Sequence, residues 1–171
     1  MWRCNMAEKR IPDPTLMARL QLSVKGIDWA AGLVSRWEHE QPLGQWSAHQ
    51  HLFHLLAVET EIIQPRIRRM IDESRPVFAD WSEKEHMARA YRSDQDMQDL
   101  ARKIMDEREK TVEMLKGLRP EQWSRTGVWP AGEVDIAWAA EHALAHALEH
   151  FVALLNLHQE FDHRQALAWL Q

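Results

Sequence analysis

Ten histidines lie in this chain of 171 residues, and six of them fall into two close groups. His142, His146 and His150 recur every four residues within one stretch. On an α-helix they would form one stripe, because a spacing of four residues brings side chains back to within about 40° around the axis. Imidazole is the commonest metal ligand among side chains, and helical neighbours four residues apart can bind one ion. The spacing therefore indicates a candidate metal site on one helix face.

The second group is His49, His51 and His54. Its neighbours set an apolar helical face that consists of Leu52, Leu55, Leu56, Val58, Ile62 and Ile63. His51 falls inside that arc and His54 just outside its edge, so periodicity alone favours His51 as the inward residue. An edge position can still face a cleft between helices. A hydrogen-bonded core histidine is the alternative interpretation for each of them.

The charge balance argues against some classes of partner. The chain has 21 basic and 26 acidic residues, with a net charge of −5, whereas nucleic-acid and anionic-membrane binders usually carry a basic patch. The one notable basic cluster, Arg66, Arg68 and Arg69, is expected to be a solvated helix face. We therefore predict a small-molecule substrate, no nucleic-acid partner and no membrane partner.

The composition also bears on location. The sequence has no run of about 18 apolar residues, so we expect no membrane-spanning segment. Its single cysteine, Cys4, excludes an intrachain disulfide and fits a reducing compartment. The first ten residues lack the apolar core of a signal peptide. We predict a cytoplasmic protein.

Sparse glycine and the absence of strand-like alternation predict an all-α fold in a single domain, residues 1–171. The expected helices span about 13–37, 47–73, 93–117 and 135–158, with long connections at 74–92 and 118–134 and a short C-terminal helix capped by Asp162. Four helices with such connections predict an antiparallel four-helix bundle. The cores of bundles build metal sites from side chains on facing helices.

Local signals mark several of these boundaries. Ser47 and Gln50 match a capping box, which predicts the start of the second helix. Pro65 is expected to kink or restart that helix, since proline cannot donate its backbone nitrogen. Gly117 is expected to end the third helix in a left-handed conformation. The connection 74–92 is long for a compact domain, and such segments often cover something.

The segment that opens with Trp46 and Ser47 and continues after Ala48 as HQHLFHLL resembles the DinB-like (YfiT-like) family. In that family a Trp-Ser or Trp-Thr pair opens the second helix, and a ligand histidine followed by Leu comes eight residues after the Trp. That position is His54 here. An HxxxH on the last main helix matches His146 and His150.

The intervening chain is similar to the family as well. The segment from Leu100 through MLKGLRPEQW resembles its third helix and the turn that follows. The resemblance covers roughly residues 15–157. One departure is that Phe151, Val152 and Ala153 follow the last histidine, where the family often has a polar pair.

The resemblance implies a bundle of the DinB/YfiT type with His54, His146 and His150 as metal ligands, overruling the periodicity that favours His51. His51 and His142 remain candidates that replace or assist a ligand. The implied cofactor is a divalent metal (Zn, Ni, Fe or Mn). Some relatives also use a low-molecular-weight thiol such as mycothiol or bacillithiol. Homodimers are common in the family, so a homodimer is expected.

Three neutral imidazoles leave coordination positions open, which is the catalytic pattern. The ion can lower the pKa of bound water toward about 7 for hydrolysis, or bind a thiol as thiolate for a transferase or isomerase reaction. Glu59 falls on the inward helix face and is the preferred catalytic general base or partner of a ligand histidine. Its alternative is a buried ion pair with an arginine such as Arg108.

Trp46, Trp129 and Trp138 are candidate pocket residues, with ordinary core packing as the alternative for each. An alternative function is a catalytically inactive, homodimeric helical binding module with a vestigial metal site. A di-iron carboxylate bundle would need two Glu-x-x-His motifs on helices. Glu83 to His86 supplies one motif, in a predicted connection.

Overall fold

The computed structural model describes residues 12–168. This part of the chain contains six α-helices and one β-hairpin. The helices are α1 (Leu16–Val34), α2 (Ala48–Ala57), α3 (Gln64–Asp72), α4 (Glu83–Ala90), α5 (Met97–Lys116) and α6 (Ile136–Ala168). Short 3-10 turns occupy Ser35–Trp37 and Pro120–Gln122. Cys4 lies outside the described residues.

The longer helices pack as a four-helix bundle, which confirms the predicted fold. Helices α1 and α2 each contact both α5 and α6. These contacts join the helices of the first part of the chain to those of the second part, so the bundle core forms only when residues distant in sequence pack together. None of the helices within 12–168 has the length and apolar character that crossing a bilayer requires.

The second bundle helix is interrupted by a π-helical turn, Val58–Ile63, between α2 and α3. In this turn the Gln64 N–H donates to the Glu59 carbonyl five residues earlier. Pro65 follows directly, and a proline ring clashes with the carbonyl four residues before it, which favours a widened turn. The predicted restart at Pro65 and the capping box of Ser47 with Gln50 are both confirmed.

A thin polar layer divides the core between the helices. One apolar cluster includes Leu20, Ile63, Val112 and Leu144, and the other includes Val24, Leu55, Ile104 and Ala147. Polar side chains lie between the two clusters on each bundle helix. They are Ser23 on α1, Glu59 in the π-helical turn of the second helix, Arg108 and Thr111 on α5, and His146 on α6. Two apolar halves thus enclose a polar level that all four helices share.

Both long connections contain secondary structure that the sequence did not indicate. Helix α4 lies inside 74–92, where Ser82 caps it by accepting the Glu85 N–H. Strands β1 (Thr126–Trp129) and β2 (Gly132–Asp135) form an antiparallel hairpin that occupies the end of 118–134 and extends to Asp135, so the last helix begins one residue later, at Ile136. Four-residue strands are too short for alternation to be recognised.

Three predicted boundaries need correction. Helix α5 begins at Met97 rather than near Ser93, because the Asp96 carboxylate caps the Asp99 N–H. Gly117 ends α5 in the right-handed region, with φ of −73°. Helix α6 runs unbroken to Ala168, so the separate C-terminal helix is wrong; neither glycine nor proline follows residue 158 to stop it.

Candidate metal centre

Three imidazole rings from two helices meet at the polar level of the bundle. Helix α2 carries His54, and α6 carries His146 and His150 one turn apart. The Nε2 atom of His146 lies 3.0 Å from that of His54 and 3.1 Å from that of His150. One ligand atom from each ring lies within 4.8 Å of the others. The structure thus brings together the three histidines named from the sequence.

Burial keeps these rings neutral. It is the largest cause that lowers the pKa of His54 to about 3, of His146 to about 4 and of His150 to about 2. Neighbouring histidines lower the pKa values of all three further, since positive charges would repel each other. A neutral imidazole presents the lone pair that a metal ion binds.

His51 contacts the cluster from outside. Its Nδ1 lies 2.8 Å from Nδ1 of His150, the ring atom opposite the converging Nε2. Burial lowers the pKa of His51 to about 4, so this ring is also neutral. If Nδ1 of His150 carries the proton of this contact, the lone pair of His150 is on Nε2, which is the tautomer that suits a ligand. His51 therefore contacts His150 and is not one of the three converging rings.

Two tryptophan side chains contact the histidine cluster. Trp46 stacks on His150 with 6.3 Å between ring centroids, and its edge meets His54 at 5.1 Å. Trp81, from the connection before α4, lies 5.8 Å from His54. Contacts with these two indoles restrict the rotamers of the histidines, and they reduce the access of water.

A cleft of about 260 Å³ opens beside His54 and His146. The other lining residues are Val58, Ile62, Ile63, Arg66, Asp80, Trp81, Glu83, Trp129 and His142. The Glu83 carboxylate lies 3.5 Å from Nε2 of His54, and 54% of its side chain is exposed. The connection 74–92 thus covers part of the site, and it brings a carboxylate to the cluster.

The remaining histidines of the two groups have other surroundings. His142 lines the cleft and stacks on Trp138, with 4.7 Å between centroids and 7° between planes. His49 is fully buried, and its ring nitrogens contact the Tyr91 hydroxyl and the Gln95 carbonyl at 2.9 and 2.7 Å. His49 therefore ties α2 to the connection before α5.

Two residues of the cleft were missed or misjudged. Arg66 was expected on a solvated face, yet it is buried and lines the cleft, whereas Arg68 and Arg69 are exposed. Its position three residues after Ile63 and four before Met70, both buried, was the available signal. Glu83 had no comparable signal, because α4 reaches the site through tertiary folding alone.

The donor set fits a divalent ion. Metal–imidazole bonds of about 2.0–2.1 Å place neighbouring ligand nitrogens roughly 3.0–3.4 Å apart. The two measured Nε2 separations, 3.0 and 3.1 Å, fall in that range. Without an ion, three neutral nitrogens facing one another can satisfy at most some of their hydrogen bonds. His54, His146 and His150 can therefore hold one metal ion through Nε2.

Comparison with known proteins agrees with the fold and with the expected family. The family model described as the DinB superfamily matches residues 29–152. The chain belongs to the DinB superfamily. No curated protein matches it. The predicted family is confirmed.

Two solved structures from Bacillus subtilis resemble this DinB superfamily member. YfiT, described as a probable metal-dependent hydrolase with an unusual four-helix bundle topology, has a TM-score of 0.81 at 15% identity and covers 91% of this chain and 93% of its own. The DinB-like protein YjoA has a TM-score of 0.60 at 14% identity, with 87% and 93% covered. At these identities the likeness shows the fold alone.

Glu59 was preferred as the catalytic base, with a buried ion pair to an arginine as the alternative. The structure shows that ion pair. Oε2 of Glu59 lies 2.8 Å from Nη2 of Arg108, and the Thr111 hydroxyl donates to Oε1. Both partners of the ion pair are almost fully buried, and Glu59 does not line the cleft. The Glu59 carboxylate has its hydrogen bonds within the polar layer rather than at the histidines.

We expect Arg108→Met to destabilise the fold by about 3–5 kcal/mol, because it leaves the Glu59 carboxylate buried and unpaired. The double variant Glu59→Gln with Arg108→Met removes both charges and should recover at least about 1 kcal/mol. Urea unfolding followed by circular dichroism measures the free energy of unfolding of the double variant and of both single variants, Glu59→Gln and Arg108→Met. A double variant that loses the sum of the single effects would contradict the pairing.

Proposed function

We propose that this protein is a metal-dependent enzyme in which His54, His146 and His150 hold one divalent ion, and that it hydrolyses a small-molecule substrate. The convergence of three neutral Nε2 atoms beside an open cleft carries this proposal. Three protein ligands leave room for water or substrate, unlike the closed sets of structural zinc sites.

The residues around the cluster suit this chemistry. When bound, a divalent ion supplies Lewis acidity and lowers the pKa of a water or thiol ligand. Glu83 is the carboxylate beside the histidines with access to the cleft, so it can accept a proton from a nucleophile there. Trp46 and Trp81 hold His54 and exclude solvent from one side.

The same site would serve a low-molecular-weight thiol, which some family members use. His54, His146 and His150 would hold the ion, which would favour the thiolate form of such a thiol, and Glu83 would accept the thiol proton before the thiolate reacts. Glu83 supports either reaction, so we propose hydrolysis first and thiol transfer as its variant. A substrate screen of the metal-loaded protein separates them, since only thiol transfer requires added thiol.

The metal claim is tested by measuring metal content and affinity on untagged protein. We expect one equivalent of Zn, Ni, Fe or Mn in the wild type, and at least a 100-fold loss of affinity in His146→Ala, because two rings remain. His142→Ala is the matched control: it removes a histidine one turn earlier on α6 that lies in the cleft but outside the cluster. His51→Ala should weaken binding about 10–100-fold, since it removes the partner of His150.

Circular dichroism and thermal melting show whether each variant is folded. Full metal occupancy in a folded His146→Ala protein would contradict the ligand assignment. A wild type that takes up no metal would leave the helical binding module with a vestigial site as the better account. Equal losses in His142→Ala and His146→Ala would place the ion elsewhere in the cleft.

We further propose a homodimer in which α1 and α6 form the contact. Leu22 and Trp29 on α1 and Leu148 and Val152 on α6 are large, exposed apolar residues. They flank the place where the Phe151 ring packs against Gly26, so they form one apolar face. The single cysteine and the net charge of −5 support a cytoplasmic protein with a small-molecule substrate rather than nucleic acid.

Sedimentation velocity tests this assembly. We expect a dimer for the wild type and a monomer for Trp29→Lys, because a charge in the centre of an apolar interface is costly to bury. Lys25→Ala, on the same helix, is a control for altered charge. A wild-type monomer at micromolar concentration would remove the homodimer from the proposal.

A further inference from the structure

Arg66 is a buried cation without a carboxylate partner among residues 12–168. Only 9% of its surface is exposed. Nη2 donates to the Ala79 carbonyl at 2.9 Å, while Nε and Nη1 make no hydrogen bond to the described residues. The guanidinium lies over two rings, 4.6 Å from the centroid of Trp129 and 5.4 Å from that of Phe78. The rings hold this planar group in place and leave two of its nitrogens without acceptors.

The other buried arginine of the core shows the contrast. Arg108 is 4% exposed and lies 2.8 Å from the Glu59 carboxylate. Burying a guanidinium is costly unless a counter-charge and hydrogen bonds compensate for the lost water. The fold provides Arg108 with a counter-charge, although its Nε and Nη1 have no hydrogen-bond partner among residues 12–168, and it places no carboxylate within ion-pair distance of Arg66. The difference suits Arg66 to a partner that comes from outside the chain.

Arg66 lines the same cleft as His54 and His146. Trp129 also lines it, and its indole Nε1–H is a buried donor with no acceptor in the described part of the chain. Donors without acceptors therefore come from α3 and from the hairpin, beside the histidine cluster. A ligand rich in acceptor oxygens would satisfy them.

Two carboxylates in the cleft oppose an anion, but both are solvated. Asp80 is exposed, and its Oδ1 accepts the backbone N–H of Trp81. Neither Asp80 nor Glu83 lies within ion-pair distance of Arg66. Burial lowers the pKa of Arg66 more than Asp80 raises it. The cation is thus buried, while the two anions face water.

We propose that the substrate carries an oxyanion, a carboxylate or a phosphate, which Arg66 binds in the cleft beside His54 and His146. The inference rests on the proposed function and names its substrate class. A guanidinium offers paired N–H donors that match both oxyanions, and stacking on Trp129 fixes their direction. Arg66 would bind the oxyanion and so position the substrate with its reacting bond beside the histidines.

The test is a titration of ¹⁵N-labelled protein, metal-loaded and metal-free, followed by the Trp129 indole and Arg66 Nε–H resonances. The probes are propionate, inorganic phosphate and propionamide, the neutral analogue of propionate, at constant ionic strength. Arg66→Gln removes the charge. Arg68→Gln is the matched control, because it removes an exposed arginine two residues away on α3.

We expect the wild type and Arg68→Gln to bind propionate or phosphate at least tenfold more tightly than propionamide, and Arg66→Gln to lose that preference. If propionate brings the Trp129 and Arg66 resonances to saturation, the substrate group is a carboxylate, and if inorganic phosphate does so, it is a phosphate. Equal binding of both anions and propionamide by the wild type would overturn the inference. So would a preference that survives in Arg66→Gln.

Two further measurements test the inference if Arg66→Gln does not fold and separate it from the proposed metal site. If Arg66→Gln does not fold, Arg66→Lys keeps the charge but not the planar pair of donors, and the wild-type Arg66 Nε–H resonance must still move with the anion. An unmoved resonance overturns the inference. Metal content is measured on the same samples. A protein that binds no metal but prefers the anion contradicts the proposed function and leaves the oxyanion site standing.

Discussion

The buried ion pair between Glu59 and Arg108 is the constraint around which the bundle is arranged. It joins the π-helical turn to α5 at the level where the two apolar clusters separate. Neither charge can be left alone in the core, so the second helix and α5 must keep one register. That register determines which residues of the second helix face α6, and it places His54 against His146. Arg108 also lies near the histidines, and its charge contributes to lowering the pKa of His146.

The cleft follows from the same arrangement. The π-helical turn and Pro65 lead into α3, which carries Arg66, and the connection after α3 returns across the site with Trp81 and Glu83. Neutral imidazoles, a solvated carboxylate and an unpaired guanidinium therefore lie within one concave surface. In the proposed mechanism the imidazoles hold the ion, Glu83 accepts a proton and Arg66 orients an anionic group.

Much of this could be read from the sequence, and the failures have physical causes. Helical periodicity predicted four helices and one stripe of histidines on the last of them, but on the second helix it ranked His51 above His54, and the choice of His54 came from the family resemblance. Both rings reach α6, His51 through Nδ1 of His150 and His54 through Nε2 of His146, and only tertiary packing shows which nitrogens converge. Local patterns carry no information on Glu83, because α4 lies in a connection. The arginine partner of Glu59 was foreseen as an alternative, since an inward carboxylate needs a counter-charge.

X-ray absorption spectroscopy of the zinc-loaded wild-type protein tests the central claim most directly. The proposed metal centre predicts three imidazole nitrogens at about 2.0–2.1 Å, with oxygen ligands completing the shell. Multiple scattering from the rings counts the imidazoles independently of any assay of activity. A shell that contains sulfur, or fewer than three imidazoles, would contradict a metal centre built from His54, His146 and His150.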